Sequence, residues 1–198
     1  IKAAREALTP PMGPVSIEIP IDVQRATIER PAMLDNLVIA PPAGDAGNAS
    51  SLDALADMAA GAKRPMIWCG AGARYAGAAV QRIVDMGVGV VTSVNGRAVI
   101  PETHPMTLGA FQATPEVEKF YETVDFMLIA GGRVRGHETK DLGLKLPARR
   151  AQIDIDPSAC GRTYAVELFH VGDAEAALNA LADRLEGRVQ VADDWASD

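Results

Sequence analysis

Cysteine is scarce in this chain. Its 198 residues hold only Cys69 and Cys160, too few for a disulfide framework, and neither sits in a Cys-x-x-Cys pair. Histidine is scarce too. His104, His137 and His170 are scattered, so with two lone cysteines they form no metal-ligand spacing, and no metal site is assigned. Basic charge is in deficit: 19 Lys and Arg against 26 Asp and Glu give a net charge of -7. That argues against a nucleic-acid binder, which would normally show a basic face. No run of 18 apolar residues exists, which leaves no spanning helix and no membrane partner. No apolar stretch follows Lys2 and Arg5 as a signal peptide would require, and a reducing cytoplasm is the expected compartment. The chain also lacks an initiator Met and opens on what reads as a helix end, Ile1 to Leu8. It is expected to be a fragment of a longer polypeptide.

What is present is ordinary for a globular protein, with 48% hydrophobic and 23% charged residues, enough for one good core. Pro10 and Pro11 stop the first helix. Val15, Ile17 and Ile19 alternate with Ser16 and Glu18, the period of a half-buried strand over 14–19. Residues 24–50 carry Pro31, Pro41, Pro42, Gly44 and Gly47 and no sustained period, so the domain boundary belongs there. From Ser51, read as a helix cap, a strand–helix rhythm begins. Helices are expected over 51–62, 73–86, 115–124 and 174–185, the last capped by Asp173. Strands are expected over 65–69, 89–93, 126–130, 151–155 and 168–171. Residues 94–114 read as a long loop. Short, continuously apolar strands between helices predict an α/β fold, a doubly wound parallel sheet of about five to six strands covered on both faces. The tail over 187–198 is polar and acidic and expected to be mobile, except that Trp195 should anchor something.

Several phrases in order resemble a known family. Gly13-Pro14-Val15 with Glu18-Ile19-Pro20 and Asp22-Val23 comes first. Arg64-Pro65 with Gly70-Ala71-Gly72-Ala73 follows. Then come Val91-Thr92 with Asn95-Gly96 and Ile100-Pro101-Glu102, His104-Pro105, Leu108-Gly109, Asp125-Phe126 with Gly131-Gly132-Arg133, Ile153-Asp154-Ile155-Asp156-Pro157 with Gly161-Arg162, and Val171-Gly172-Asp173. Together they resemble the central domain, with the end of the pyrimidine-binding domain, of thiamine-diphosphate-dependent enzymes of the acetolactate synthase and benzoylformate decarboxylase type. The resemblance implies four segments. Residues 1–30 would be the edge of the pyrimidine-binding domain, 31–50 a linker, 51–186 the central domain and 187–198 a linker towards a diphosphate-binding domain. It implies a parent that decarboxylates or ligates 2-oxo acids as a dimer or tetramer. Thiamine diphosphate and Mg²⁺ would bind outside this chain, so no catalytic residue is assigned here. Gly172-Asp173-Ala174 lacks the second glycine of the family's Gly-Asp-Gly motif.

The candidate sites lie at strand ends. Gly70 and Gly72 follow a strand, where glycines either let backbone amides approach a phosphate or only make a tight turn. The spacing to Ala76 is one residue off a dinucleotide fingerprint, and Asn95 replaces a ribose-binding acid. Gly132, Arg133 and Arg135 could meet a diphosphate or be solvated loop residues. Asp154 and Asp156 could receive ribose hydroxyls or hold the following turn, and Asp173 completes the candidate set. FAD, ADP or CoA are the nucleotides the resemblance suggests. Against FAD, no arginine stands before Gly13-Pro14-Val15, where flavin-binding relatives often carry one. His170, inside an apolar strand, reads as a satisfied core histidine, and Cys69 as a buried small hydrophobe. A second reading is a free-standing nucleotide-binding regulatory module without catalysis.

Overall fold

The computed structural model describes residues 1–195. These fall into two compact units, 1–43 and 44 onward. The first holds α1 (Lys2–Leu8), α2 (Ile21–Arg25) and a 3-10 turn at Ala32–Leu34. The strand expected over 14–19 does not form. Alternation supplies a face but not a ladder, and no neighbouring strand in this unit answers its backbone groups. Val15, Ile17, Ile19, Ile21 and Val23 are all exposed. No helix among the described residues is long and apolar enough to cross a membrane.

The second unit is the α/β domain. It runs α3 (Ala49–Ala60), β1 (Pro65–Cys69), α4 (Gly77–Asp85), β2 (Gly89–Thr92), α5 (Pro115–Tyr121), β3 (Phe126–Ala130), β4 (Arg150–Asp154), β5 (Leu168–Val171) and α6 (Ala174–Leu185). The five strands are parallel, in the order β2-β1-β3-β4-β5. Residues Met106–Gly109 add a partial sixth row. Val90 donates to the Met106 carbonyl at 2.8 Å, Leu108 donates to Val90 at 2.8 Å, and Thr92 donates to Gly109 at 2.9 Å.

Strands buried on both faces explain the continuous apolar runs. On one face Ile67, Cys69, Val90, Leu128 and Ile153 pack against Leu52 and Leu55 of α3, Val80 and Ile83 of α4, and Leu178 and Leu181 of α6. On the other, Met66, Trp68, Val91, Met127 and Ile129 meet Val117 and Tyr121 of α5, together with Leu144 and Trp195.

Three details differ from the sequence reading. Asn48, not Ser51, caps α3, its side chain accepting the Ser51 amide at 3.1 Å. The compact unit itself begins at Gly44, because the linker end is clasped by His170. That imidazole is fully buried, with Nδ1 2.7 Å from the Ser51 hydroxyl and Nε2 2.5 Å from the Ala46 carbonyl. It is the satisfied core histidine expected. Third, the expected helix from Ala73 splits into a 3-10 turn at Ala71–Ala73 and then α4.

The tail is anchored as far as Trp195, while 196–198 lie outside the described residues. Ala192 donates to the Lys63 carbonyl at 2.9 Å. Trp195 is 3% exposed. Its ring stacks on Phe120 with centroids 5.3 Å apart, and its Nε1 donates to the Gly87 carbonyl at 2.9 Å. The ring holds the tail against the amino ends of β1 and β2.

Candidate functional site

In a parallel sheet of this order the crossovers leave β1 in one direction and β3 in the other. The loops after those strands part and open a crevice at the carboxyl edge, where ligands of such folds bind. A cavity of about 340 Å³ lies at this point. The six candidate residues Gly70, Gly72, Gly132, Arg133, Asp154 and Asp173 all line it. They come from the ends of β1, β3, β4 and β5, far apart in sequence and joined by the fold.

The loops after β1 and β3 are in contact, backbone on backbone. Gly70 donates to the Ala130 carbonyl at 2.9 Å and Gly72 to the Gly131 carbonyl at 2.8 Å. A Cβ on Gly70 would stand 2.3 Å from the Gly132 Cα. Gly131 has φ of +57°, the left-handed region that favours glycine. These glycines therefore make the floor of the crevice by close approach. The amides of Gly70 and Gly72 serve the floor itself, and both residues line the cavity with bare backbone surface.

The wall after β4 is charged. The Asp154 carboxylate accepts the Asp156 amide at 2.9 Å and is buried, and burial pushes its pKa up from the ordinary carboxylate value. Asp156 accepts the Ser158 amide at 2.9 Å and pairs with the Arg133 guanidinium at 3.2 Å. The Ser158 hydrogen bonds, with Arg133 and Arg162 nearby, hold its pKa down. Asp156 thus performs the turn role expected of it, and its partner Arg133 stays 38% exposed towards the cavity. Asp173 caps α6, accepting the Ala176 amide at 2.9 Å, and its own amide is held by Asp45 at 2.8 Å.

Sequence reasoning did not select Ser93, His137 or Glu138, which also line the cavity, as do Asn95 and Arg135. The available signal was positional. Every strand of this sheet ends at the same edge, so the residues just past β2 belong with those past β1 and β3. Cys69 is fully buried, its thiol pushed up to about 12 by desolvation, and it has no nucleophilic role. Among the described residues no cluster of three metal-ligating side chains occurs. The Gly172-Asp173-Ala174 turn does not suit a Mg²⁺-diphosphate site, since its one carboxylate is engaged as a helix cap. The crevice presents a glycine floor with arginine and carboxylate walls, an arrangement suited to binding.

Residues 52–181 match the thiamine pyrophosphate enzyme central-domain family. A probable acetolactate synthase large subunit from Methanocaldococcus jannaschii is 30% identical over 87% of this chain and 30% of its own length. Glyoxylate carboligase from Escherichia coli O157:H7 is 29% identical over 94% of this chain and 33% of its own. A solved Mycobacterium smegmatis structure assigned to the thiamin diphosphate-dependent enzymes superposes with a TM-score of 0.70. It shares 26% identity over 96% of this chain and 36% of that one. The chain thus spans about a third of the length of these relatives.

Proposed function

Since the chain belongs to the thiamine pyrophosphate enzyme central-domain family, we propose that it is the scaffolding, nucleotide-holding part of a thiamine-diphosphate-dependent carboligase or decarboxylase of 2-oxo acids. The observation that carries the nucleotide reading is the convergence of six strand-end residues on one crevice at the point where the strand order reverses. The family and its relatives support the parent's chemistry: a synthase and a carboligase by name, and a 2-ketoarginine decarboxylase from Pseudomonas aeruginosa, 29% identical over 87% of this chain. None of these three relatives is a regulatory module by name.

In this reading 1–30, 31–50, 51–186 and 187–198 are domain edge, linker, central domain and linker. The exposed residues Val15, Ile17 and Ile19 suit a strand that pairs with another domain's sheet. Thiamine diphosphate, when bound in the parent, supplies the carbanion-stabilising chemistry. In this reading thiamine diphosphate and Mg²⁺ belong to other domains; Asp173 is engaged as a helix cap, and the described residues hold no cluster of three metal-ligating side chains. In the same reading the parent is a cytoplasmic dimer or tetramer, the free thiols of Cys69 and Cys160 supporting the reducing compartment alone. The role of this chain is to hold a nucleotide such as ADP, FAD or CoA and to fix the spacing of the domains around it.

A thermal-shift titration of the 198-residue chain tests this. A cognate nucleotide at 100 times its Kd adds about 2.7 kcal/mol, a rise of roughly 5–10 °C at this size. Thiamine diphosphate should give no rise. Stabilisation by thiamine diphosphate alone would overturn the assignment.

A further inference from the structure

We propose that the crevice continues into a second subsite for a phosphomonoester on the ribose, so that the ligand is a ribose-phosphorylated adenine nucleotide such as CoA rather than plain ADP or FAD. This rests on the nucleotide reading above and narrows it.

A second cavity, also about 340 Å³, is lined by Arg133, Arg135, Ala159, Arg162 and Thr163. Arg133 and Arg135 line both cavities, so the two adjoin. Three guanidinium groups around one hollow stand out in a chain of net charge -7. Arg133 pairs with Asp156, and Arg162 stands near the same carboxylate. Among the described residues Arg135 and Arg162 form no ion pair, although Glu138 stands nearby, accepting the Arg135 amide at 3.2 Å. Three arginines therefore stand against two carboxylates, Asp156 and Glu138, and the hollow keeps a net positive charge. Like charges held together raise the local potential and favour a dianion, and guanidinium suits phosphate oxygens because it binds them in pairs.

The loop that carries the third arginine is held in place. Thr163 donates its hydroxyl to the Arg133 carbonyl at 3.0 Å, Arg162 donates its amide to Ala159 at 3.2 Å, and Asp156 caps the turn between them. The position in the fold agrees. In doubly wound folds a strand-end acid takes ribose hydroxyls and an arginine beside it accommodates a ribose phosphate; here such a pair stands past β4, across the crevice from Asn95. Here Asp154 lines the first cavity and Arg162 the second, with Arg133 between them.

Isothermal titration of the 198-residue chain with AMP, adenosine 2′,5′-bisphosphate and adenosine 3′,5′-bisphosphate separates the outcomes. One bisphosphate should bind at least tenfold tighter than AMP, the isomer identifying a CoA-type or a 2′-phosphorylated ligand. The gain should shrink as salt is raised. Arg162→Ala should remove most of that gain and leave AMP affinity within twofold. Arg162→Gln, which keeps the side chain's length, serves if the alanine variant folds poorly. Equal affinity for AMP and both bisphosphates overturns the subsite and leaves the nucleotide crevice standing, as does a gain that survives loss of Arg162. Binding of none of the three, nor of ADP, overturns both.

Discussion

Replacing Trp195 by alanine should destabilise the domain by about 4 kcal/mol, although the residue stands near the end of a polar tail. The indole is 3% exposed. Burying a tryptophan removes about 150–250 Å² from water, worth about 4–6 kcal/mol at ~25 cal/mol per Å². Measured truncations of large aromatic residues fall at about 3–5 kcal/mol, because the site relaxes in part. The stack on Phe120 and the hydrogen bond to Gly87 lie within that total. Urea denaturation followed by far-UV circular dichroism would read the change, and the melting temperature should fall by roughly 10 °C. Trp195→Phe keeps the stack but orphans the Gly87 carbonyl, so about 1–2 kcal/mol should be lost. If the alanine variant came within 1 kcal/mol of the parent, the tail would not be part of the fold and the argument from burial would fail.

Gly70→Ala places a methyl 2.3 Å from the Gly132 Cα. It should cost about 3 kcal/mol or more, seen as a lower denaturation midpoint, and should abolish nucleotide-induced stabilisation. Asp154 has its pKa raised by burial, so the folded state holds its proton more tightly than the unfolded chain. Its ionisation therefore weakens the fold as pH rises from the unfolded carboxylate value through the folded one. Asp154→Asn keeps an acceptor for the Asp156 amide, and in thermal melts it should remove this loss and raise the melting temperature at neutral pH. Cys160 is exposed and Cys69 is buried with its pKa near 12. A disulfide-exchange reagent at mildly alkaline pH should therefore titrate one thiol in the native protein and two in guanidinium chloride.

The strands were legible because they carry their own signal. Pro65–Cys69 and Phe126–Ala130 are unbroken apolar runs, buried at every position, and they fall where periodicity and length placed them. Ile17 and its neighbours carry a signal that is only half of a strand, since pairing is a property of two segments. The start of α4 moved to Gly77 after a 3-10 turn at Ala71–Ala73, and Gly77 packs so closely on the Val99 carbonyl that a Cβ there would sit 2.7 Å from it. That Gly70, Gly132 and Asp154 converge on one cavity could be anticipated because each stands at a strand end of one parallel sheet. Arg162 stands eight residues beyond Asp154, within reach of Arg133 only through the turn at Pro157–Ala159. Nothing in local composition announces that return. Trp195 was expected to anchor something, but its partners Phe120 and Gly87 come from separate parts of the chain.

The row Met106–Gly109 along β2 bears on how copies of this protein can meet. An outermost strand normally offers its free amides and carbonyls to any extended chain that passes, which is how sheets fuse between molecules and how aggregates begin. Here both backbone groups of Val90 and the amide of Thr92 are already taken. A second molecule cannot extend the sheet at those positions without first peeling that segment away. At this edge any association is thereby steered towards side-chain surfaces, and Leu108→Pro, which would free the segment, should increase the formation of fibres or precipitate.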